Sequence, residues 1–170
     1  MSKVKTRLRI LSNGRIVVGT VVNVPKDLQG VVKEGANIDP LTALRLVLAN
    51  AVVVEDEGGR ELGLVEFVEK LQREIDNTVL LVVMDLLKKG KKVMLSPNKK
   101  EVILVNEKAI IKPLNEYEDI EARELYSMVD NALKQGYRFL IAVIDMHGDV
   151  TYYEATKMSF QKIDRGGGIA

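Results

Sequence analysis

Residues 139–145 read FLIAVID, six apolar side chains in a row before an aspartate. A run of strand length with no polar alternation has no face to offer water. It belongs to a strand covered on both sides. The next residues, MHGD, supply a tight turn, and VTYYEA returns as a second strand. The turn holds the only histidine of the chain, His147, between Asp145 and Asp149. A histidine beside two carboxylates is the raw material of a metal or acid/base site. Aspartates at a turn, however, serve the backbone, and no second histidine exists to complete a common histidine-based metal set. The stretch reads as a hairpin tip.

The other segments are sorted by the same periodicities. RLRILSNGRIVV places Asn13-Gly14 between apolar runs, a strong hairpin signal. Residues 27–38, DLQGVVKEGANI, read as loop. Asp39 and Pro40 suit the cap and first position of a helix over LTALRLVLANA. VVVEDEGGRELGLV reads as strand, turn, strand. From Leu64 to Lys89 the pattern is helical, with a stop and a new cap at Asp76-Asn77-Thr78. Lys88, Lys89 and Gly90 suit that helix's end. KKVMLS, KEVILVN and AIIKPL are strands. NEYEDIEARELYSMVDNALKQG is a helix with Leu125, Met128, Val129, Ala132 and Leu133 on one stripe, ended by Gly136. The expected class is α/β, more narrowly α+β: an N-terminal α+β domain over 1–75, a C-terminal domain over 76–162, and a flexible tail over 163–170.

Charge and composition exclude several functions. A net charge of +1 gives no whole-chain pull on nucleic acid, so RNA contact needs a local patch or a partner's charge. The absence of cysteine excludes disulfides, thiolate zinc sites and cysteine nucleophiles. TVLLVVMDLL, the longest apolar stretch, is interrupted by Asp85 and too short to span a bilayer. The N-terminus has no apolar signal region, and the expectation is an intracellular, cytoplasmic protein without a membrane partner. Phosphate-binding loops, HExxH and GxSxG are absent. No metal or cofactor is expected.

Two charged groups stand out. Lys91, Lys92, Lys99 and Lys100, beside Lys88 and Lys89, are candidates for phosphate contact or simply a solvated helix end and hairpin. Glu116, Glu118, Asp119 and Glu121 suit the start of a helix, or an acidic plug for a basic pocket on another chain.

Taken in order, DLLKKGKKVML, KEVILVN, AIIKPL, NEYEDIE, YRFLIAVID and HGDVTYYEA resemble the catalytic domain of archaeal-type tRNA-splicing endonucleases, and residues 1–75 resemble that family's small first domain. The resemblance implies a restriction-endonuclease-like mixed sheet in the C-terminal domain. The family cleaves RNA with a tyrosine, a histidine and a lysine, and without metal. Here the tyrosine position falls at Asn106, the histidine loop is nearly missing, and the lysine position falls at Tyr137 and Arg138. The resemblance therefore implies the non-catalytic, structural subunit of a heterotetrameric endonuclease that excises introns from precursor tRNA at bulge-helix-bulge sites. It implies an interface of Glu116, Glu118, Asp119 and Glu121 in the plug and Tyr152 and Tyr153 on a pairing edge, with a catalytic subunit as partner. Two other readings stay open: a diverged active ribonuclease using Tyr137, Arg138 or His147, and a small α/β interaction module unrelated to RNA.

Overall fold

A computed structural model describes residues 4–156; the tail expected over 163–170 and residues 157–162 lie outside the described residues. The fold is α+β, with four helices and two mixed sheets of five strands each.

The first half of the chain builds the first sheet. Strand β1 (Thr6–Ile10) turns at Gly14, whose φ of 85° suits the glycine of the Asn-Gly turn, into β2 (Ile16–Val18). Residues 27–38 are not all loop. They contain most of a 3-10 turn, Lys26–Leu28, a buried Val32, and the short strand β3 (Asn37–Ile38). Two paired residues are too few to show a period of two, so no strand signal is readable there. Helix α1 (Pro40–Leu48) starts where Asp39 accepts hydrogen bonds from the amides of Leu41 and Thr42, both 3.0 Å. Strand β4 (Val52–Glu55) then pairs parallel to β1, and β5 (Glu61–Leu62) completes the order β3-β2-β1-β4-β5. Helix α2 (Leu64–Leu71) follows.

Helix α3 (Asn77–Lys88) begins at Asp76, which accepts from the Thr78 amide at 2.8 Å. Its buried residues are Val79, Leu80, Val82, Val83 and Leu86. They run most of the way round because α3 packs on α1 on one side and on the second sheet on the other. That sheet contains β6 (Val93–Leu95), β7 (Val102–Leu104), β8 (Ala109–Asn115), β9 (Arg138–Ile144) and β10 (Val150–Ala155), adjacent in chain order. Only β8 and β9 are parallel, joined by helix α4 (Ala122–Lys134).

The unbroken apolar run that opened the sequence reading is β9. Ala142 and Ile144 face α3 within the main core, while Phe139 and Ile141 belong to a second cluster with Val129 and Ala132 of α4. The strand is covered on both faces, as its composition requires. Helix α4 starts at Ala122 rather than near Asn115, so Glu116, Glu118 and Asp119 lie in the loop before it. Leu133, placed on the buried stripe by periodicity, is 42% exposed. It sits in the last turn, past the reach of the sheet. One core cluster runs from Leu8 to Ile144, and Ile75, at the turn between α2 and α3, is itself buried.

Candidate subunit interface

Asn106, Tyr137 and Arg138, the positions singled out by the resemblance, gather at one end of the second sheet. Strand β7 passes to β8 through a four-residue turn, 105–108, which contains Asn106. No loop is present there to carry a further side chain. Ala109 pairs with Arg138, and the Arg138 amide donates to the Lys108 carbonyl at 2.8 Å, so the start of β9 lies beside this turn. The carboxylates found there are ion-paired. Arg138 grips Glu154 with both arms of its guanidinium, at 2.8 and 2.9 Å. Lys91 holds Glu107 at 3.0 Å. Both carboxyls are pulled below the ordinary range by these partners. Tyr137 packs against the cluster of Val129, Ala132 and Phe139, and Asn106 is exposed. Glu107 keeps one buried carboxylate oxygen, Oε2, without a hydrogen-bond partner among the described residues.

Lys108 closes the turn with φ 49°. The left-handed region costs a non-glycine residue about 1 kcal/mol or more. We expect Lys108→Gly to raise stability by about 0.5–1 kcal/mol, read as a higher urea midpoint with an unchanged slope.

His147 is at the other end. The β9–β10 turn is fixed by Asp145, whose carboxylate accepts from the amides of His147 at 2.8 Å and Asp149 at 3.0 Å. Arg138 begins β9 and Ile144 ends it, so His147 lies about 20 Å of strand away from the family positions. His147 cannot act with Tyr137 or Arg138 on one phosphate.

The acidic loop meets His147's turn. The Glu116 amide donates to the Ile144 carbonyl at 2.9 Å, and its carboxylate accepts from the Met146 amide at 3.0 Å. The carboxylate also raises the Tyr117 phenol above its usual pKa. Asn115 donates to Glu118 at 2.8 Å and to the Thr78 hydroxyl at 3.1 Å, tying the loop to the start of α3. Asp119 makes no hydrogen bond or ion pair among the described residues, and Glu121 stands at the α4 cap without capping it through its side chain. Of the four expected interface charges, two are thus anchored within the chain and two are free. All four are exposed.

Among the described residues, strand β10 pairs with β9 on one side only and forms the edge of the sheet. Tyr153 stands on the α4 side, 57% exposed. Tyr152 stands on the α3 side, where its hydroxyl donates to Asp85 at 2.6 Å and Lys89 reaches the same carboxylate oxygen at 2.8 Å. The Lys89 ammonium also lies 4.9 Å from the centre of the Tyr152 ring. Tyr152 is therefore half committed to its own chain, which leaves Tyr153 as the freer interface residue. Sequence reasoning missed this lock, although a signal was present: a carboxylate inside an apolar helical run needs a partner.

Burial, then the Asp85 carboxylate, push the Tyr152 phenol well above its usual range. Burial pushes Asp85 up, but hydrogen bonds from Lys89 and Tyr152 outweigh it and leave it below its usual 3.8. The two shifts act at opposite ends of the pH scale. Asp85 contributes stability that is present above pH 3.8 and lost as pH falls through its folded value. Tyr152 contributes stability that is present below pH 10 and declines above it, where the unfolded phenol ionises. Tyr152→Phe should cost about 1 kcal/mol at pH 7, and the difference from the wild type should shrink at pH 11, in urea titrations at both pH values.

Three of the four candidate lysines meet at one groove, and two of the four are ion-paired. Lys91 and Lys99 are paired, with Glu107 and Glu74 at 3.0 and 3.3 Å. Lys92 and Lys100 make no ion pair among the described residues. Lys91, Lys92 and Lys99 line a groove of about 470 Å³ with Leu28, Arg45 and Met94, at the junction of the two halves of the chain. Among the described residues, no three His, Cys, Asp or Glu side chains converge as a metal site would require, and no helix is long and apolar enough to cross a membrane. Compared with known proteins, the chain matches no family model and no curated protein.

Proposed function

We propose that the chain is the structural, non-catalytic subunit of a cytoplasmic, heterotetrameric tRNA-splicing endonuclease. It would hold catalytic subunits at the spacing needed to cut precursor tRNA at its two bulge-helix-bulge sites. The observation that carries the reading is the contrast between the two ends of the second sheet. At the end where the resembling family keeps its tyrosine, histidine and lysine, this chain has a four-residue turn and closed ion pairs. At the other end it has an exposed acidic loop, and along the side an open edge strand. Paired charges at the first end and an exposed acidic loop at the other support a role in assembly. Among the described residues nothing pairs with the outer side of the six-residue β10, and such an edge is an aggregation hazard unless a partner strand covers it.

In this mechanism the acidic loop enters a basic pocket of a catalytic chain, β10 extends a partner's sheet, and two-fold symmetry matches the pseudo-two-fold substrate. The catalytic chains supply most of the contact with RNA, and Lys92 and Lys100, which make no ion pair among the described residues, are cations this chain can add. The near-neutral charge of +1 suits that division. The assembly is tested by sedimentation of the chain with a catalytic endonuclease subunit from the same genome. A species of two chains of each kind is expected. Separate sedimentation of the two proteins at physiological salt would refute the proposal.

A further inference from the structure

Among the described residues of the second half, the two most exposed large apolar side chains are Tyr117, 79% exposed, and Met146, 73% exposed. They lie far apart in sequence, yet the fold puts them on adjacent turns. The Glu116 carboxylate accepts from the Met146 amide, and the Glu116 amide donates to Ile144. Both turns are held before any partner arrives, since Asp145 fixes one and Asn115 braces the other through Glu118. The two turns carry Glu116, Glu118, Asp119, Asp145 and Asp149, and no lysine or arginine.

We propose that Tyr117 and Met146 form one apolar anchor by which the chain docks into a lysine- and arginine-rimmed pocket on a different protein chain. The proposal rests on the subunit reading for the identity of that chain and adds the β9–β10 turn to the docking surface. Water gains nothing from a thioether and a phenol ring held out on rigid turns. Tyrosine and methionine are enriched at the centres of interfaces, where desolvation makes a few residues decisive. Five carboxylates on the same turns specify the partner's sign and repel a phosphate backbone. The partner is therefore a basic protein surface and not RNA. Preorganisation lowers the entropy cost of docking.

The test titrates the full chain against the catalytic endonuclease subunit by calorimetry at physiological salt. Tyr117→Ala and Met146→Ala are compared with Tyr126→Ala, an exposed tyrosine on α4 away from these turns. Each anchor variant should raise Kd roughly ten- to a hundred-fold, and Tyr126→Ala less than about three-fold. The anchors are exposed, so all three variants should melt with the wild type. Wild-type affinity in both anchor variants would overturn the anchor and leave the subunit reading standing. Absence of binding by the wild-type chain would overturn the subunit reading and this partner with it. Self-association of the chain that Tyr117→Ala abolishes would identify a second copy as the occupant, against the proposal.

Discussion

Changing Glu118 and Asp119 together to lysine is expected to abolish assembly with the catalytic subunit and, with it, RNA cleavage by the mixture. Each substitution replaces a favourable charge with an unfavourable one. Close charge pairs across interfaces are coupled by about 1.5–7 kcal/mol. Reversal at two sites should therefore cost at least about 4 kcal/mol, a thousand-fold loss of affinity. The two positions differ in what they do inside the chain. Asp119 is free, whereas Glu118 accepts from Asn115, which also reaches Thr78 on α3. A control is therefore needed. Glu118→Gln keeps an acceptor for Asn115 and removes only the charge, so it should melt like the wild type and bind less tightly. Higher salt should restore part of the double variant's affinity, because the introduced repulsion is screened, but not the wild-type level, because the lost attraction is not restored.

Truncating Leu80 to alanine should remove about 2–5 kcal/mol of stability, a large fraction of what a domain of this size possesses. Leu80 is fully buried on α3, the helix that packs on α1 and on the second sheet at once. The core cluster is continuous from Leu8 to Ile144. The loss should accordingly appear as one cooperative transition, at the same urea concentration by far-ultraviolet circular dichroism and by tyrosine fluorescence. Two transitions, with only one moved by Leu80→Ala, would contradict a core shared by both halves.

The sequence made local structure legible wherever a single physical cause acted. Asp39, Asp76, Gly14, Gly90 and Gly136 were readable because a cap or a positive φ has few substitutes, and each performs the expected task. The double-sided burial of β9 was readable because an unbroken apolar run has no other home. Element edges were less legible. The α4 start slid from near Asn115 to Ala122 because acidic residues suit a helix's first turn and a loop equally well. The two-residue β3 exists only through its pairing with β2. The tertiary bonds were hidden altogether. That Glu116 would staple the His147 turn, or that Tyr152 would find Asp85, depends on register between strands distant in sequence. The apolar prominence of Met146 follows from the same register, since a methionine in a turn reads as unremarkable until its surroundings are known.

The central claim is that this chain builds the endonuclease without cutting. It is tested most directly by incubating a bulge-helix-bulge RNA in EDTA with the chain alone, the catalytic subunit alone, and the two together. The account predicts no cleavage by the chain alone and cleavage at both bulges by the mixture, well above that of the catalytic subunit by itself. Cleavage by the pure chain, or a mixture no more active than the catalytic subunit alone, would contradict it.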